Sequence, residues 1–433
     1  MIGRRLAAAL GSLVLASTAS VALVPSDAGA SPAGPRAVNA ARPPFAPCPM
    51  STLPALSTRP PRPAPPSRDP ARPVIGGEGL ATAGLTLPPG VPPPPANKLS
   101  ATSWVVADLD SGAVLGACAP HELSPPASIQ KLLLVAAVMP RLDPAQVVEV
   151  TQPDMDFEPD SSLVGLVLGG HYSVETLWLG LLLNSGNDAA NVLARLGGGD
   201  AGMAGGVKLM NDTARRLGAL DTHAATPSGL DGPGQFTSAY DMALIARACF
   251  TREDFRRYAS TRFAAIPAQP AQGAKGFEIG NDNNLFLNQY PGALGGKIGF
   301  TDAARHTYVG AAERNGRRLV VTLLGGEIVP SRGWQQGVDL LDWGFSVPKG
   351  ASVGRLVNPG EIDRNVAGQA STRVPVVALS PAQRQQALGP WTPVLAGGAV
   401  VVGSAALVAV PMVMMAARRR RAPGTPGPPG RHR

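Results

Sequence analysis

Cysteine is nearly absent. Cys48, Cys118 and Cys249 are the full set in 433 residues, too few for a scaffold stapled together by disulfides. One internal pair is the most they can form, one thiol is left over, and the sequence leaves the choice of pair open. Histidine is as sparse: His121, His171, His223, His306 and His432 are scattered without ligand spacing, and neither CxxC nor HExxH occurs, which excludes the common zinc sites. Nor does the charge describe a nucleic-acid binder. The formal net charge is +8, but the excess sits at the ends, in Arg4, Arg5, the Arg418 to Arg421 run, Arg431 and Arg433, and the stretch between them is close to neutral.

What the chain has in abundance is Gly (51) and Pro (45), enough for long segments that never join a core. Residues 31–97 are dominated by Pro, Ala and Arg and predict an extended, partly polyproline segment without catalysis. Before it, Arg4 and Arg5 precede an apolar run that closes on Ala28-Gly29-Ala30, the layout of an export signal over 1–30 cleaved after Ala30. At the other end, 392–417 carries no charge and is long enough to cross a hydrocarbon core of about 30 Å. Trp391 stands at one edge of that span and the arginine run of the 418–433 tail at the other, which predicts a single-pass anchor in the lipid bilayer with the tail in the cytoplasm. The folded part is then exported, facing outward from the plasma membrane, and occupies 98–347, with a linker over 348–391.

Within 98–347 the texture changes along the chain. SWVVADL, the turn DSG and AVLGACA read as a β-hairpin. Helical period follows in SIQKLLLVAAVM, SVETLWLGLLL, NDAANVLARLG and MNDTARRLGAL, the first closed by Pro140 and two others by Gly. RHTYVGAAE and RRLVVTLLGG are joined by Asn315-Gly316, a strong hairpin signal. A hairpin, a helical block and further antiparallel strands predict an α+β fold whose sheet is assembled from both ends of the segment.

The chemistry rests on lysine, which is scarce in a chain that otherwise uses Arg: Lys98, Lys131, Lys208, Lys275, Lys297 and Lys349 are all of it. Ser128 and Lys131 are spaced i, i+3 at the head of an apolar helix, so their side chains share one face. A Lys held against apolar surface loses solvation, its neutral amine is favoured, and it can take the proton of a neighbouring hydroxyl. Taken alone, S-x-x-K is a weak pattern that a solvent-facing Lys would also satisfy. Ser185 and Asn187 flank Gly186 in a short break between two helices, where a capping role accounts for one polar residue but not for both. Lys297 lies in GGKIG, where missing side chains would let a substrate backbone approach as an added strand.

The ordered set S-x-x-K, S-x-N and K-x-G resembles the signature of serine penicillin-recognising enzymes. From about Trp104 to Phe345, through VADLDSGAVL, PASIQK, LLLNSGNDAAN, LMNDTARRLGALDTHAATPSGLDG, SAYDMALIA and PGALGGKIGFTDAA, the chain resembles the D-alanyl-D-alanine carboxypeptidases, the low-mass penicillin-binding proteins. The resemblance implies a β-lactamase/transpeptidase-like domain, an antiparallel sheet flanked by helices with an inserted helical subdomain. It implies that Ser128 attacks the penultimate D-Ala carbonyl of peptidoglycan stem peptides ending in D-Ala-D-Ala, with Lys131 as its base. Ser185 would relay a proton to the leaving D-Ala, and Asn187 would hold the peptide and Lys131. Lys297 would face the substrate carboxylate, and the 298–301 strand of Ile298, Gly299, Phe300 and Thr301 would bind the peptide, with the N–H groups of Ser128 and Phe300 as oxyanion hole. β-Lactam antibiotics would be covalent inhibitors, and no metal or cofactor is implied.

One position departs from the pattern. Ile298 stands where the family has Thr or Ser, keeping the β-branched shape but not the hydroxyl that helps bind the terminal carboxylate. A hydrogen bond to a charged group is worth about 1.5–3 kcal/mol, or about one to two powers of ten in rate if it is fully expressed in the transition state. Thr301, three residues on along a regular strand, faces the other way. No Arg stands just upstream in GFEIGNDNNLF, which leaves Arg305 as the candidate carboxylate partner. The leading expectation is an anchored carboxypeptidase of altered efficiency or range that works in cell-wall maturation. The alternatives are a non-catalytic protein that binds wall peptides and a β-lactamase, the latter disfavoured because no Glu-containing loop between Ser185 and Lys297 is placed to direct a deacylating water.

Overall fold

The computed structural model describes residues 45–51 and 74–363. The expected export signal, membrane span and cytoplasmic tail lie outside the described residues. Among the described residues, no helix is long and apolar enough to cross a membrane.

The first strands are β1 (Leu85–Thr86), β2 (Ser103–Asp108) and β3 (Ala113–Cys118). A helical block follows: α1 (Lys131–Val138), the small hairpin β4 (Val147–Glu149) with β5 (His171–Ser173), then α2 (Val174–Leu183), α3 (Asn187–Gly198), α4 (Gly202–Leu217), α5 (Ala239–Phe250) and α6 (Glu253–Ser260). A second small hairpin, β6 (Phe263–Ile266) with β7 (Phe277–Gly280), and the short α7 (Asn284–Gln289) lead back to the sheet. The chain closes with β8 (Ala293–Thr301), β9 (Arg305–Arg314), β10 (Arg317–Gly326), α8 (Gly333–Ser346) and β11 (Gly354–Arg355). The main sheet runs β1-β3-β2-β10-β9-β8 with β11 also on β3, and every pairing is antiparallel. Strands from both ends of the domain thus meet at β2 and β10, as the α+β reading requires, and β8 is left as an edge.

Two cores explain why the central strands read as continuous apolar runs. In β2, Val105 and Ala107 face the helical block while Trp104 and Val106 face α8. In β10, Val320 and Leu324 go one way and Leu319, Val321 and Leu323 the other. A strand buried on both faces has no polar side to alternate with. The β9–β10 turn confirms its sequence signal: Asn315 (φ 52) and Gly316 (φ 72) both sit in the left-handed region that a two-residue hairpin of this type demands. Local chemistry also sets helix ends. The Ser173 and Ser238 side chains accept from the N–H groups of Thr176 and Asp241, and Gly218 closes α4 in a left-handed conformation.

The packed structure reaches beyond 98–347 on both sides. Cys48 is bonded to Cys118 at the end of β3, β1 pairs with that strand, and Ile75 and Leu80 enter the main core. At the other end β11 pairs with β3, and Leu356 and Val357 are buried. Composition hid this because a proline-rich chain needs only a few apolar anchors and one covalent tie to dock on a sheet edge. The remaining thiol, Cys249, is buried, and burial pushes its pKa up, which makes it inert.

The disulfide closes a loop with a sequence separation of 70, so Cys118→Ser is expected to cost about 2–4 kcal/mol in denaturant unfolding. An unchanged midpoint would show that the N-terminal strip docks without contributing to stability.

Candidate active site

Ser128 lies in a short 3-10 turn, Ala127–Gln130, that runs into α1, whose first residue is Lys131. Ala127 holds φ +49 without being Gly, a conformation that persists only where neighbours enforce it. They do so here from two sides. The Thr307 hydroxyl on β9 donates to the Pro126 carbonyl at 2.9 Å, and Gly229 passes so close that a Cβ there would sit 2.0 Å from the Ala127 oxygen. Across the gap, a Cβ on Gly299 would sit 2.8 Å from the Ser128 nitrogen. The missing side chain therefore keeps that N–H open to the edge of β8.

Lys131 is fully buried, and its Nζ touches three oxygens: Ser128 Oγ at 2.9 Å, Asn187 Oδ1 at 2.7 Å and the Ser228 carbonyl at 2.9 Å. Burial lowers its pKa well below 10.5 and the nearby charge of Lys297 lowers it further, while Asp188 opposes them. A neutral amine has two N–H groups and one lone pair. Asn187 Oδ1 and the Ser228 carbonyl can only accept, so they take both N–H groups, and the lone pair is left for the Ser128 hydroxyl proton.

Ser185 sits in the break between α2 and α3 at φ 66, another left-handed non-glycine. It is buried, and its hydroxyl has no hydrogen-bond partner among the described residues. Asn187 opens α3, and its N–H donates to the Ser162 carbonyl at 2.8 Å. The next residue, Asp188, accepts from the N–H groups of Val164, Gly165 and Leu166, each at 2.9 Å, and so pins the 160–167 loop over the start of α3. Lys297 on β8 is likewise buried, with its Nζ donating to the Ile298 carbonyl at 2.8 Å. Desolvation lowers its pKa to about 8, with Asp282 acting in the opposite direction.

These groups surround a cleft of about 810 Å³. Ser128, Ser185, Asn187, Ile298, Gly299, Phe300 and Thr301 line it, and Lys131 and Lys297 lie buried behind its wall. The structure thus brings together Ser128, Lys131, Ser185, Asn187 and Lys297 with the 298–301 strand, and leaves Arg305 out. Thr301 is occupied elsewhere: its hydroxyl donates to Asp231 at 2.8 Å and accepts from the Ala304 N–H. Phe300 is exposed and packs its ring on His306.

Arg305 is not the carboxylate partner. It is buried and ion-paired with Glu327 at 3.3 Å, because its place at the start of β9 turns it toward the β10–α8 connection. The cation that does line the cleft is Arg332, exposed just before α8, with no ion pair among the described residues. No spacing rule pointed to it, since it reaches the site through the turn after β10 rather than from the K-x-G strand. Asp188 and the Ser228 carbonyl were missed for a similar reason, because one works through backbone amides and the other is a backbone atom. His121, Asp221 and Asp241 form a second buried cluster, but the imidazole nitrogens already meet Asp221 at 2.7 Å and the Ile75 carbonyl at 3.1 Å.

Comparison with known proteins agrees with this geometry. The sequence profile of the D-alanyl-D-alanine carboxypeptidase family matches residues 91–327. The chain is 44% identical over 268 residues to the D-alanyl-D-alanine carboxypeptidase DacB2 of Mycobacterium tuberculosis, covering 59% of this chain and 86% of that one. It is 32% identical over 266 residues to the Escherichia coli carboxypeptidase DacD, covering 59% of this chain and 65% of the other. Among solved structures, a D-alanyl-D-alanine carboxypeptidase from M. tuberculosis superposes with TM-score 0.58 at 40% identity, covering 63% of this chain and all of that one (100%). The Streptomyces K15 DD-transpeptidase, at 24% identity and TM-score 0.54 over 57% of this chain and 98% of its own, shares the fold.

Asp188→Asn would leave an amide facing backbone donors in a buried place, and a loss of about 1–3 kcal/mol is expected. Thermal unfolding reads this directly. An unchanged melting temperature would mean that the 160–167 loop does not depend on Asp188.

Proposed function

The chain belongs to the D-alanyl-D-alanine carboxypeptidase family, and from that premise we propose how its own residues release a terminal D-alanine from peptidoglycan stem peptides. One observation carries the reading: the buried Lys131 amine lies 2.9 Å from the Ser128 hydroxyl, with its remaining hydrogens committed elsewhere. Ser128 Oγ attacks the penultimate D-Ala carbonyl as its proton passes to Lys131 Nζ. The developing oxyanion is met by the N–H groups of Ser128 and Phe300. When the C–N bond breaks, the proton moves from Lys131 through the otherwise unbonded Ser185 hydroxyl to the departing amine. Water then attacks the ester, its proton goes back through Lys131, and Ser128 is restored. The same acylation applied to a β-lactam carbonyl makes such antibiotics covalent inhibitors.

Arg332, exposed in the cleft, takes the terminal carboxylate, and buried Lys297 adds positive potential from behind the wall, with the released residue beside Ile298. The Arg332 guanidinium can bind that carboxylate through two parallel hydrogen bonds without a hydroxyl at 298. Ile298 favours a second reading, a wall-peptide binder that does not cut. The complete Ser128, Lys131 and Asn187 hydrogen-bond set argues against it, because a protein that only binds has no need of a desolvated base. The sequence of the termini supports placement outside the cell: the signal-like start and the uncharged 392–417 run next to Arg418 describe an exported, membrane-anchored enzyme.

D-Alanine should be released from a pentapeptide ending in D-Ala-D-Ala by the full-length chain and not by Ser128→Ala. Absence of release from both, with the fold intact, would support the binder instead. The pH profile has a defined shape. Lys131 must be neutral, so activity is lost as pH falls through its depressed pKa, and Lys297 must be charged, so substrate affinity is lost as pH rises past about 8. An alkaline limb near 10.5, the ordinary lysine value, would contradict the assignment of Lys297.

A further inference from the structure

Ile298 removes a hydroxyl from the cleft, and it also adds an apolar surface. Its side chain lines the cleft while packing against the core beneath α8. Leu285 from α7, with Ile328 and Trp334 from the β10–α8 connection and the start of α8, line the same cleft. Leu285 and Ile328 are 43% and 45% exposed. Single exposed apolar residues are ordinary. Here four from three separate segments line one cleft whose other lining is largely polar, and together they offer the apolar surface on which a small apolar group is bound.

The place of this wall in the reaction follows from the carboxypeptidase reading, on which the inference rests. On that reading the scissile carbonyl meets the Ser128 N–H beside Gly299, where a Cβ would sit 2.8 Å from the Ser128 nitrogen. By the same reading the terminal carboxylate is met by Arg332, the exposed cation of the cleft, with buried Lys297 adding positive potential from behind the wall, and the released residue lies between them, next to Ile298. An alanine methyl is too small to cover that surface.

We propose that Ile298, Leu285, Ile328 and Trp334 form a subsite for the side chain of the released residue, so that the enzyme removes apolar C-terminal D-amino acids larger than alanine, such as D-leucine, at least as well as D-alanine. A Thr at 298 would put a hydroxyl into this surface, and burying it against an apolar side chain without a partner is unfavourable. Apolar contact in the subsite takes the place of the hydrogen bond that Ile298 cannot make.

The test uses the full-length chain and two peptides that differ only in ending D-Ala-D-Ala or D-Ala-D-Leu. The wild-type ratio of kcat/KM, D-Leu over D-Ala, is expected at about 1 or above, and it should fall roughly tenfold in Ile298→Thr and again in Ile328→Ser, the scale on which apolar pockets discriminate. Because Ile328 is exposed, its variant keeps the test valid if Ile298→Thr disturbs packing. A wild-type ratio below about 0.1, or a ratio that neither variant moves, would overturn the proposal and leave Ile298 as a packing residue. Release of D-alanine without D-leucine would sink the subsite alone, whereas release from neither peptide would sink the carboxypeptidase reading and the subsite with it.

Discussion

The contact between the Lys131 amine and the Ser128 hydroxyl exists because Lys131 is removed from water without a carboxylate against it. Its nearest anionic influence, Asp188, spends its oxygens on the N–H groups of Val164, Gly165 and Leu166. Charging a buried ammonium under those conditions is costly, by several kcal/mol for an ion that lacks a paired partner. Burial therefore shifts the balance toward the neutral form, and Asn187 and Ser228 orient the amine. Most of the local architecture maintains this state. Thr307 and Gly229 hold the left-handed Ala127 that presents Ser128, and Gly299 leaves the Ser128 N–H uncovered.

The cleft needs both halves of the fold. Ser128 and Lys131, the proposed nucleophile and base, come from the start of the helical block, Ser185 from the break between α2 and α3, Asn187 from the first residue of α3, and the fourth side from β8, the edge of the sheet. An edge strand can pair with an extended peptide, usually a liability and in the proposed mechanism the binding surface. The two lysines connect the halves electrically, since Lys297 helps to lower the pKa of Lys131. In the proposed mechanism one of the two serves as base and the other keeps its charge at moderate pH.

Much of this was legible in the sequence. The apolar runs at β2 and β10, the Asn315-Gly316 turn and the helical periods give an α+β fold, because these depend on side chains at short and regular intervals, whereas Ser128, Lys131, Ser185, Asn187 and Lys297 were joined into one site by the resemblance of their motifs to the family's. What stayed hidden depends on contacts between distant parts of the chain. Arg332 reaches the cleft through a turn, and Arg305 is withdrawn by Glu327. The choice of Cys48 for Cys118 and the docking of residues 74–98 on β3 arise only once the sheet exists. Ile298 was visible as an anomaly, but its apolar neighbours Leu285, Ile328 and Trp334 were not, so the sequence showed a loss without the surface that accompanies it.

Because the chain has only six lysines, Lys98, Lys131, Lys208, Lys275, Lys297 and Lys349, their side chains can be titrated individually by NMR after selective 13C labelling at Cε. The central claim is that Lys131 is neutral in the resting enzyme. The expected result is one lysine, lost from the spectrum of Lys131→Arg, that titrates well below the ordinary 10.5. A Lys131 signal that stays charged up to that ordinary value would contradict the account, because Ser128 would then have no base.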